Sequence, residues 1–167
     1  MKRNLLKTIL CSLLVITLLA APMSALAASK VAYIFKVSVP GAPGSYLRSG
    51  SVIGGGEESE IIGSLKNGAK VIYWGKKIGQ MLRVITPDGT VGYVYQYNLK
   101  PYGAVSSKQV YLTTAKTGMY KRSGTLKKVL GKNQPVFVYR VNGKWAMIKN
   151  LSGTTGYVKM SALKKAF

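Results

Sequence analysis

Short runs dominated by β-branched and aromatic residues are spaced along most of the chain. Val71-Ile72-Tyr73-Trp74 and Val136-Phe137-Val138-Tyr139 have this character, and turn-forming residues follow them. Residues 81–85 and 145–149 are further runs of strand length. No stretch carries a convincing amphipathic helix. The pattern therefore predicts an all-β fold.

Turn signals separate these runs. Pro87-Asp88-Gly89 closes one run, and a strand is predicted to resume from Val91 to Tyr97. The second half repeats this order with a turn at Ser152-Gly153 and a strand at 155–159. Asn142-Gly143 lies between two strands and predicts a tight hairpin. Short strands with turns every ~8–12 residues are typical of small barrels or sandwiches.

The two halves of the chain share a pattern. Gly92-Tyr93-Val94 returns 64 residues later as Gly156-Tyr157-Val158. The same offset relates Met81 to Trp145, Val84 to Ile148, Gly89 to Gly153, and Leu99 to Leu163. With a few residues of gap, Ile62-Gly63 also pairs with Leu130-Gly131, and Val71-Ile72-Tyr73 with Val136-Phe137-Val138. An offset held over several residue types indicates an internal repeat, so we predict two copies of one small unit.

The repeat divides the chain into a first predicted domain at residues 28–102 and a second at 103–167, joined by a polar segment at 102–107. Each unit has about 65–75 residues, near the lower limit for a domain that folds without metals or disulfides. Loops found only in the first copy are predicted at 40–45 and 54–60. The predicted cores are Leu65, Val71, Val84, Val94 and Leu99 in the first unit, and Leu130, Val136, Ile148, Val158 and Leu163 in the second.

The N-terminal stretch has the pattern of a secretory signal. Three basic residues flank the start of an apolar run at 9–21, and Ala25-Leu26-Ala27 places small residues before a predicted cleavage site at Ala28. The uninterrupted run is shorter than the ~20 residues of a spanning helix, which disfavours a membrane anchor. Removal of residues 1–27 would leave no membrane span. It would also remove Cys11, so the mature chain would contain no disulfide.

Positive charge is concentrated in the second half. The chain has 25 Lys and Arg residues against 4 Asp and Glu, a formal net charge of +21. Residues 28–102 hold nine basic residues and all four acids, whereas residues 103–167 hold thirteen basic residues and no acid. A net charge of about 2–8 keeps a small domain soluble. The thirteen basic residues of the second half, with no acid to balance them, exceed that charge. Such a field attracts polyanions and is strongly sensitive to salt.

Several segments of both copies resemble the bacterial SH3-like domain. The first copy does so in Leu47-Arg48-Ser49-Gly50, in the Ile-Gly-x-Leu-x-x-Gly-x-x-Val run at 62–71, and in Gly92-Tyr93-Val94. The second copy does so in Lys121-Arg122-Ser123-Gly124, Trp145-Ala146-Met147-Ile148 and Gly156-Tyr157-Val158, but it lacks the middle Leu-x-x-Gly. In the first copy Met81 stands where the family usually has Trp. The resemblance implies a barrel of about five to seven strands, a module that exported bacterial proteins often use to bind peptidoglycan or related partners.

Residues for hydrolytic or metal chemistry are scarce. The chain has no His, and its single Cys lies in the predicted signal, which excludes His- or Cys-dependent triads and thiolate or imidazole metal sites. Glu57, Glu58 and Glu60 share one Gly-rich loop, and Asp88 belongs to a Pro-Asp-Gly turn. A solvated loop explains the glutamates better than a cation site does. We therefore predict a protein that is not an enzyme and needs no cofactor or metal.

Aromatic residues of the first copy are one set of candidates for binding. Tyr93, Tyr95 and Tyr97 alternate along one predicted strand, and alternate residues of a strand project from one face. The competing interpretation is that these rings only cover a thin barrel core.

Aromatic and basic residues of the second copy are the other set. The SH3-like resemblance implies that Tyr157 lies beside Trp145 in a shallow groove, with Lys144, Lys121 and Arg122 nearby. Aromatic faces suit sugar rings or proline-rich peptides, and Lys and Arg suit phosphate or carboxylate. For this pair too, a purely structural role stays open.

These features predict a secreted, non-catalytic cell-envelope protein of two SH3-like β-barrels, found outside the cell or at the wall. It would bind peptidoglycan or a teichoic-acid-like anionic polymer through the basic second domain. The alternative is a protein–protein interaction module that recognises a peptide or an exported partner through the aromatic groove. Extracellular nucleic acid shares the charge argument, but the sequence lacks any recognised nucleic-acid-binding motif.

Overall fold

The computed structural model describes residues 31–50 and 59–167. The predicted signal at 1–27 and its cleavage site at Ala28 lie outside the described residues, as does most of the predicted loop at 54–60. The regular elements of the described residues are β-strands and short 3₁₀ turns. The predicted all-β class is confirmed.

The first unit is one antiparallel sheet of seven strands. These are β1 (Val31–Val37), β2 (Gly44–Arg48), β3 (Ile61–Lys66), β4 (Lys70–Ile78), β5 (Met81–Ile85), β6 (Val91–Tyr95) and β7 (Leu99–Ser106). They are hydrogen-bonded in the order β3-β2-β6-β5-β4-β1-β7. The sheet has a barrel-like form, because side chains from strands along its whole width, from Leu65 of β3 to Leu99 of β7, belong to one buried cluster.

The second unit is another antiparallel sheet of seven strands. These are β8 (Val110–Thr113), β9 (Thr117–Tyr120), β10 (Leu126–Leu130), β11 (Pro135–Asn142), β12 (Trp145–Asn150), β13 (Thr155–Lys159) and β14 (Leu163–Lys165). Their order is β10-β9-β13-β12-β11-β8-β14. Each strand of this sheet occupies the place of its counterpart in the first sheet, so the two units have the same topology.

Each unit has an apolar core built from the predicted residues. All five residues predicted for the first core belong to one buried cluster, and all five predicted for the second belong to another. The cores form because alternate side chains of each strand point to the same side of the sheet. Phe35, Val37, Leu47, Tyr73 and Leu82 complete the first cluster, and Met119, Val138 and Ala146 the second.

A third buried cluster joins the two units. This cluster was not predicted from the sequence. It contains Ala32, Ile34, Ile72 and Ile85 from the first unit and Val110, Leu112, Phe137 and Leu151 from the second. Within β4, Val71 and Tyr73 face the first core whereas Ile72 faces this cluster. The Trp74 and Phe167 rings add a contact with centroids 5.0 Å apart. Around Val71, β4 is apolar on both faces because the first core covers one face and this cluster covers the other.

The segment predicted as a polar joint continues the first sheet. β7 runs to Ser106, which pairs with Val31 of β1. A 3₁₀ turn at Ser107–Gln109 then leads into β8. The chain passes from one sheet to the other at this turn.

The Asn-Gly hairpin forms as predicted. β11 and β12 are joined by Gly143 and Lys144, and Asn142 pairs with Trp145 across the turn. Gly143 has a φ of 54°, a conformation that glycine adopts without steric cost. Trp145 is thereby placed at the first position of β12, at the end of the sheet.

Tyr97 does not continue β6, and this part of the strand prediction was wrong. It lies in a 3₁₀ turn at Gln96–Asn98 and is 68% exposed. The turn forms where the backbone N–H of Gln96 donates to the carbonyl of Gln80 at 2.9 Å and redirects the chain into β7. The outer face of β6 therefore carries Tyr93 and Tyr95 without Tyr97.

Between residues 31 and 50 and from 59 onward, no helix has the length and apolar character needed to cross a membrane. In the same part of the chain, no three His, Cys, Asp or Glu side chains are grouped closely enough to hold a metal ion.

Candidate binding groove

A groove of about 480 Å³ lies on the outer face of the second unit. We call it the aromatic groove. It is lined by Tyr120, Lys121, Arg122, Gly124, Arg140, Asn142, Trp145, Met147 and Tyr157. Three aromatic rings and three cationic side chains thus border one concave surface.

The floor of the aromatic groove is a row of side chains across three adjacent strands. Tyr157 of β13 pairs with Tyr120 of β9 on one side and with Met147 of β12 on the other. Neighbouring residues Ala146 and Val158 point the opposite way and are buried in the core. Cross-strand partners lie about 4.5–5.5 Å apart, so the alternation of the strands brings these outer side chains together.

Trp145 forms one end of the groove through a ring contact with Tyr120. The two ring centroids are 5.7 Å apart, with the planes at 85° in an edge-to-face arrangement. Such pairs are favourable because the positive edge of one ring meets the negative face of the other. Trp145 stays 37% exposed, so part of its side chain is accessible from solvent.

Trp145 and Tyr157 both line the aromatic groove, but they are not direct cross-strand partners. The cross-strand partner of Trp145 is Lys159, whereas Tyr157 pairs with Met147. Diagonal neighbours across two strands are about 7–8 Å apart, which leaves space between the two side chains. Tyr120 is the ring that contacts Trp145, and the sequence analysis did not select it.

A β-bulge directs Arg140 and Asn142 into the groove. Val138 pairs with Ile148 but Arg140 pairs with Met147, so Tyr139 is an extra residue in β11. Without that extra residue, alternation would turn Arg140 toward the core side of the sheet. No feature of the sequence marks the bulge, and Arg140, Asn142 and Met147 were therefore not among the predicted site residues.

The glycine of the Gly-Tyr-Val segment has a steric role beside the groove. A Cβ on Gly156 would lie 2.5 Å from Cγ of Met119 and 2.9 Å from the carbonyl oxygen of Tyr120. Real Cβ atoms do not approach so closely, so β13 reaches β9 only because this position lacks a side chain. Gly92 meets the same limit in the first unit, with a Cβ 2.7 Å from Cγ of Leu47.

The cations around the groove come from turns and strand ends. Lys121 and Arg122 belong to the turn after β9, which is closed by hydrogen bonds between the backbone of Lys121 and that of Thr125 and Gly124. The Lys159 ammonium lies 6.0 Å from the centre of the Trp145 ring, at the outer limit of a cation–π contact. Lys144 occupies the hairpin turn next to Trp145.

The corresponding face of the first unit is built differently. Arg48 pairs with Tyr93 at the position that Tyr120 holds beside Tyr157, and Met81 stands at the position of Trp145. Met81 is only 1% exposed. Arg48 is 8% exposed, and its Nη1 donates a 2.7 Å hydrogen bond to the carbonyl oxygen of Ser59. Tyr93 and Tyr95 are half-buried on β6, and neither lines the aromatic groove.

Comparisons with known proteins gave structural neighbours alone. No protein-family model matches the chain, and no curated protein matches it. The chain is similar to the structure of NlpC1 from Trichomonas vaginalis, with 16% identity and a TM-score of 0.36 over 80% of this chain and 45% of that one. It is also similar to NlpC2 from the same organism, with 13% identity and a TM-score of 0.34 over 82% of this chain and 49% of that one. The chain spans about half the length of these structures.

Proposed function

We propose that this protein is a secreted, non-catalytic binding protein of the cell envelope, built from two bacterial SH3-like domains. The aromatic groove of the second unit is its binding site, and its ligand is peptidoglycan or an anionic polymer of the wall. The observation that carries the proposal is the convergence of Tyr120, Trp145 and Tyr157 with Lys121, Arg122 and Arg140 on one concave surface.

The chemistry of this surface suits a polymer that has both sugar rings and negative charge. Exposed aromatic faces stack on the apolar faces of sugar rings, and the guanidinium of Arg122 or Arg140 can form paired hydrogen bonds with carboxylate or phosphate. The surrounding unit adds a field of one sign, because residues 103–167 contain thirteen basic residues and no acid. Such a field raises the rate at which a polyanion reaches the groove.

Recognition of a peptide or an exported protein is the second candidate function. Its support is the presence of Tyr120, Trp145 and Arg140 together in the groove. Tyr, Trp and Arg are the residue types that contribute most of the binding energy at protein interfaces. A peptide ligand would stack on the same rings and make less use of the wider positive field.

Co-sedimentation of the purified protein with purified cell walls tests the proposal. We expect Trp145→Ala to weaken wall binding by roughly tenfold or more, through loss of ring stacking. Tyr46→Ala is the control, because Tyr46 is an aromatic residue that is 60% exposed and lies outside the groove lining. Circular dichroism of both variants verifies that they fold.

Two further outcomes separate the ligands. Walls stripped of anionic polymer retain binding if peptidoglycan is the ligand and lose it if the polymer is. Binding to neither wall preparation, or equal binding by the wild type and Trp145→Ala, contradicts the proposal. Capture of a defined exported protein that Trp145→Ala no longer binds would favour the second candidate.

A further inference from the structure

Three lysines stand side by side on the outer face of the first unit. Lys36 of β1 pairs with Lys70 of β4 on one side and with Lys100 of β7 on the other. We call these residues the lysine row. Like charges directly opposite each other on adjacent strands are destabilising, so folding by itself does not favour this arrangement. A bound anion would remove the repulsion.

Tyr102 adds a polar ring to the lysine row. It lies at the irregularity of β7, where the register with β1 shifts between Ile34 and Phe35. The Lys70 ammonium sits over its ring, 4.1 Å from the centroid. Lys70, as a hydrogen-bond donor and as a charge, lowers the pKa of the Tyr102 phenol, and the charges of Lys149 and Lys36 act in the same direction. Positive charges of both units therefore act on the Tyr102 phenol.

Two residues of the lysine row, Lys36 and Lys100, also line a concave surface. A depression of about 790 Å³ is lined by Lys36, Lys100, Asn67 and the loop at residues 38–43. Asn67 orders this loop, since its side-chain amide donates to the carbonyl oxygens of Val39 at 3.1 Å and Ala42 at 2.7 Å. Its amide oxygen also accepts a 2.8 Å hydrogen bond from the backbone N–H of Val39. The depression is thus a formed feature with lysines at its edge.

The lysine row lies beside the contact between the two units. Ile34 and Ile72 are paired on the same face of the sheet and belong to the cluster between the units. Lys36 and Lys70 are the next residues on that face, so they emerge where the interface ends. Lys149 belongs to β12 of the second unit, and its charge reaches Tyr102 across this boundary.

We propose that Lys36, Lys70 and Lys100, together with Tyr102, form a second binding site, specific for the phosphate groups of a polyanionic chain. Lysine ammonium groups bind phosphate as point charges, and several around one site match an anion that carries more than one negative charge. The site uses β1, β4 and β7, whereas the aromatic groove uses β9, β12 and β13. The second site is therefore separate from the aromatic groove, and it does not depend on the function proposed for that groove.

Calorimetric titration of the full chain with sodium tripolyphosphate tests this site. The variant Lys36→Gln with Lys70→Gln and Lys100→Gln should bind at least about tenfold more weakly, because three cationic contacts are lost together. Lys66→Gln with Lys76→Gln and Lys77→Gln is the control, since it removes the same charge from exposed positions of the same unit. We expect that control to change the affinity by less than about twofold.

Equal losses in the two triple variants would overturn the site, because they would show attraction by net charge alone. NMR provides a second measurement: the signals of Tyr102 should shift saturably with tripolyphosphate in the wild type and in Trp145→Ala. Signals of Tyr102 that do not respond would also overturn the site. Inorganic phosphate that binds as tightly as tripolyphosphate would contradict the preference for a chain, and weaker binding of inorganic phosphate would support it.

Discussion

The outer faces of the two units place different side chains on the same pattern of strands. On β9, β13 and β12 the row reads Tyr120, Tyr157 and Met147, with Trp145 at its end. On β2, β6 and β5 the same positions hold Arg48, Tyr93, Arg83 and Met81. The face of the second unit is open and aromatic. On the face of the first unit, Met81 and Arg48 are buried.

This difference separates what maintains the fold from what provides binding. The inward residues of both units are apolar at matching positions, and the glycine of each Gly-Tyr-Val segment allows the same close approach of strands. The outward residues at the groove positions belong to neither core cluster, so they bear no such constraint. A binding surface can therefore appear on one copy and be lost from the other while the backbone stays the same.

The largest expected effect tests whether the two units behave as one folded body. Ile72 is fully buried in the cluster between the units, and Ile72→Ala should lower the free energy of unfolding by about 2–5 kcal/mol through lost burial and a cavity. Trp74 lies in β4 of the first unit, where it also contacts Phe167, and Trp145 lies in β12 of the second, so each can be followed by fluorescence after the other is replaced by Phe. We expect both transitions to move together.

A matched control for Ile72→Ala is Leu126→Ala, since Leu126 is 52% exposed on β10. It should change stability by less than about 0.5 kcal/mol. If Ile72→Ala shifts the Trp74 transition and leaves the Trp145 transition in place, the units are independent and the comparison concerns two separate domains.

The next prediction concerns the shared backbone. Gly92→Ala and Gly156→Ala each place a Cβ within 3 Å of the neighbouring strand, and each should cost about 1–3 kcal/mol of stability through overpacking. Thermal unfolding measures both. Similar losses support a common role for the two glycines, whereas a loss confined to one unit would show that the strands do not approach equally.

The tyrosines of the Gly-Tyr-Val segments test the difference between the faces directly. Tyr157→Ala should weaken wall binding by roughly 1–3 kcal/mol if the ring stacks on the ligand, whereas Tyr93→Ala should leave binding unchanged. Both changes keep the net charge constant, and sedimentation with walls measures them. Unfolding curves of both variants are needed as controls, because either ring is half-buried. Equal losses would assign binding to both faces.

The smallest effect distinguishes the equivalent turns before β6 and β13. Asp88 accepts hydrogen bonds from the Thr86 hydroxyl and from Thr90, at 3.1 Å for the Thr90 hydroxyl. In the second unit the neutral Asn150 accepts from the Ser152 hydroxyl and the Thr154 N–H, each at 2.8 Å. Its partial desolvation opposes ionisation of Asp88, but the hydrogen bonds outweigh that effect and lower its pKa.

Because the folded-state pKa of Asp88 is the lower one, its contribution to stability is complete above about pH 4 and is lost as the pH falls through the folded value. The carboxylate is exposed, so we expect a contribution of only about 0.5 kcal/mol. Denaturation at pH 6 and pH 3 measures it. Asp88→Asn should reduce the acid sensitivity, and Asn150→Ala should not change it. An unaltered pH dependence in Asp88→Asn would contradict this role.

The sequence alone was sufficient for the local and periodic features. Strand alternation identified the all-β class and the residues of both cores, and the Asn-Gly pair identified the hairpin that precedes Trp145. These features depend on neighbours close in the chain or on a period of two residues, which a sequence displays directly.

The tertiary structure was needed for whatever depends on strand register and on contact between the units. Tyr120 and Arg140 join the groove only because β9 lies beside β13 and because Tyr139 bulges out of β11. The cluster around Ile72 required the two sheets to meet, and the lysine row required β1 to lie between β4 and β7. The period of a strand states which residues share a face, but it does not state which strand lies beside which or what covers that face.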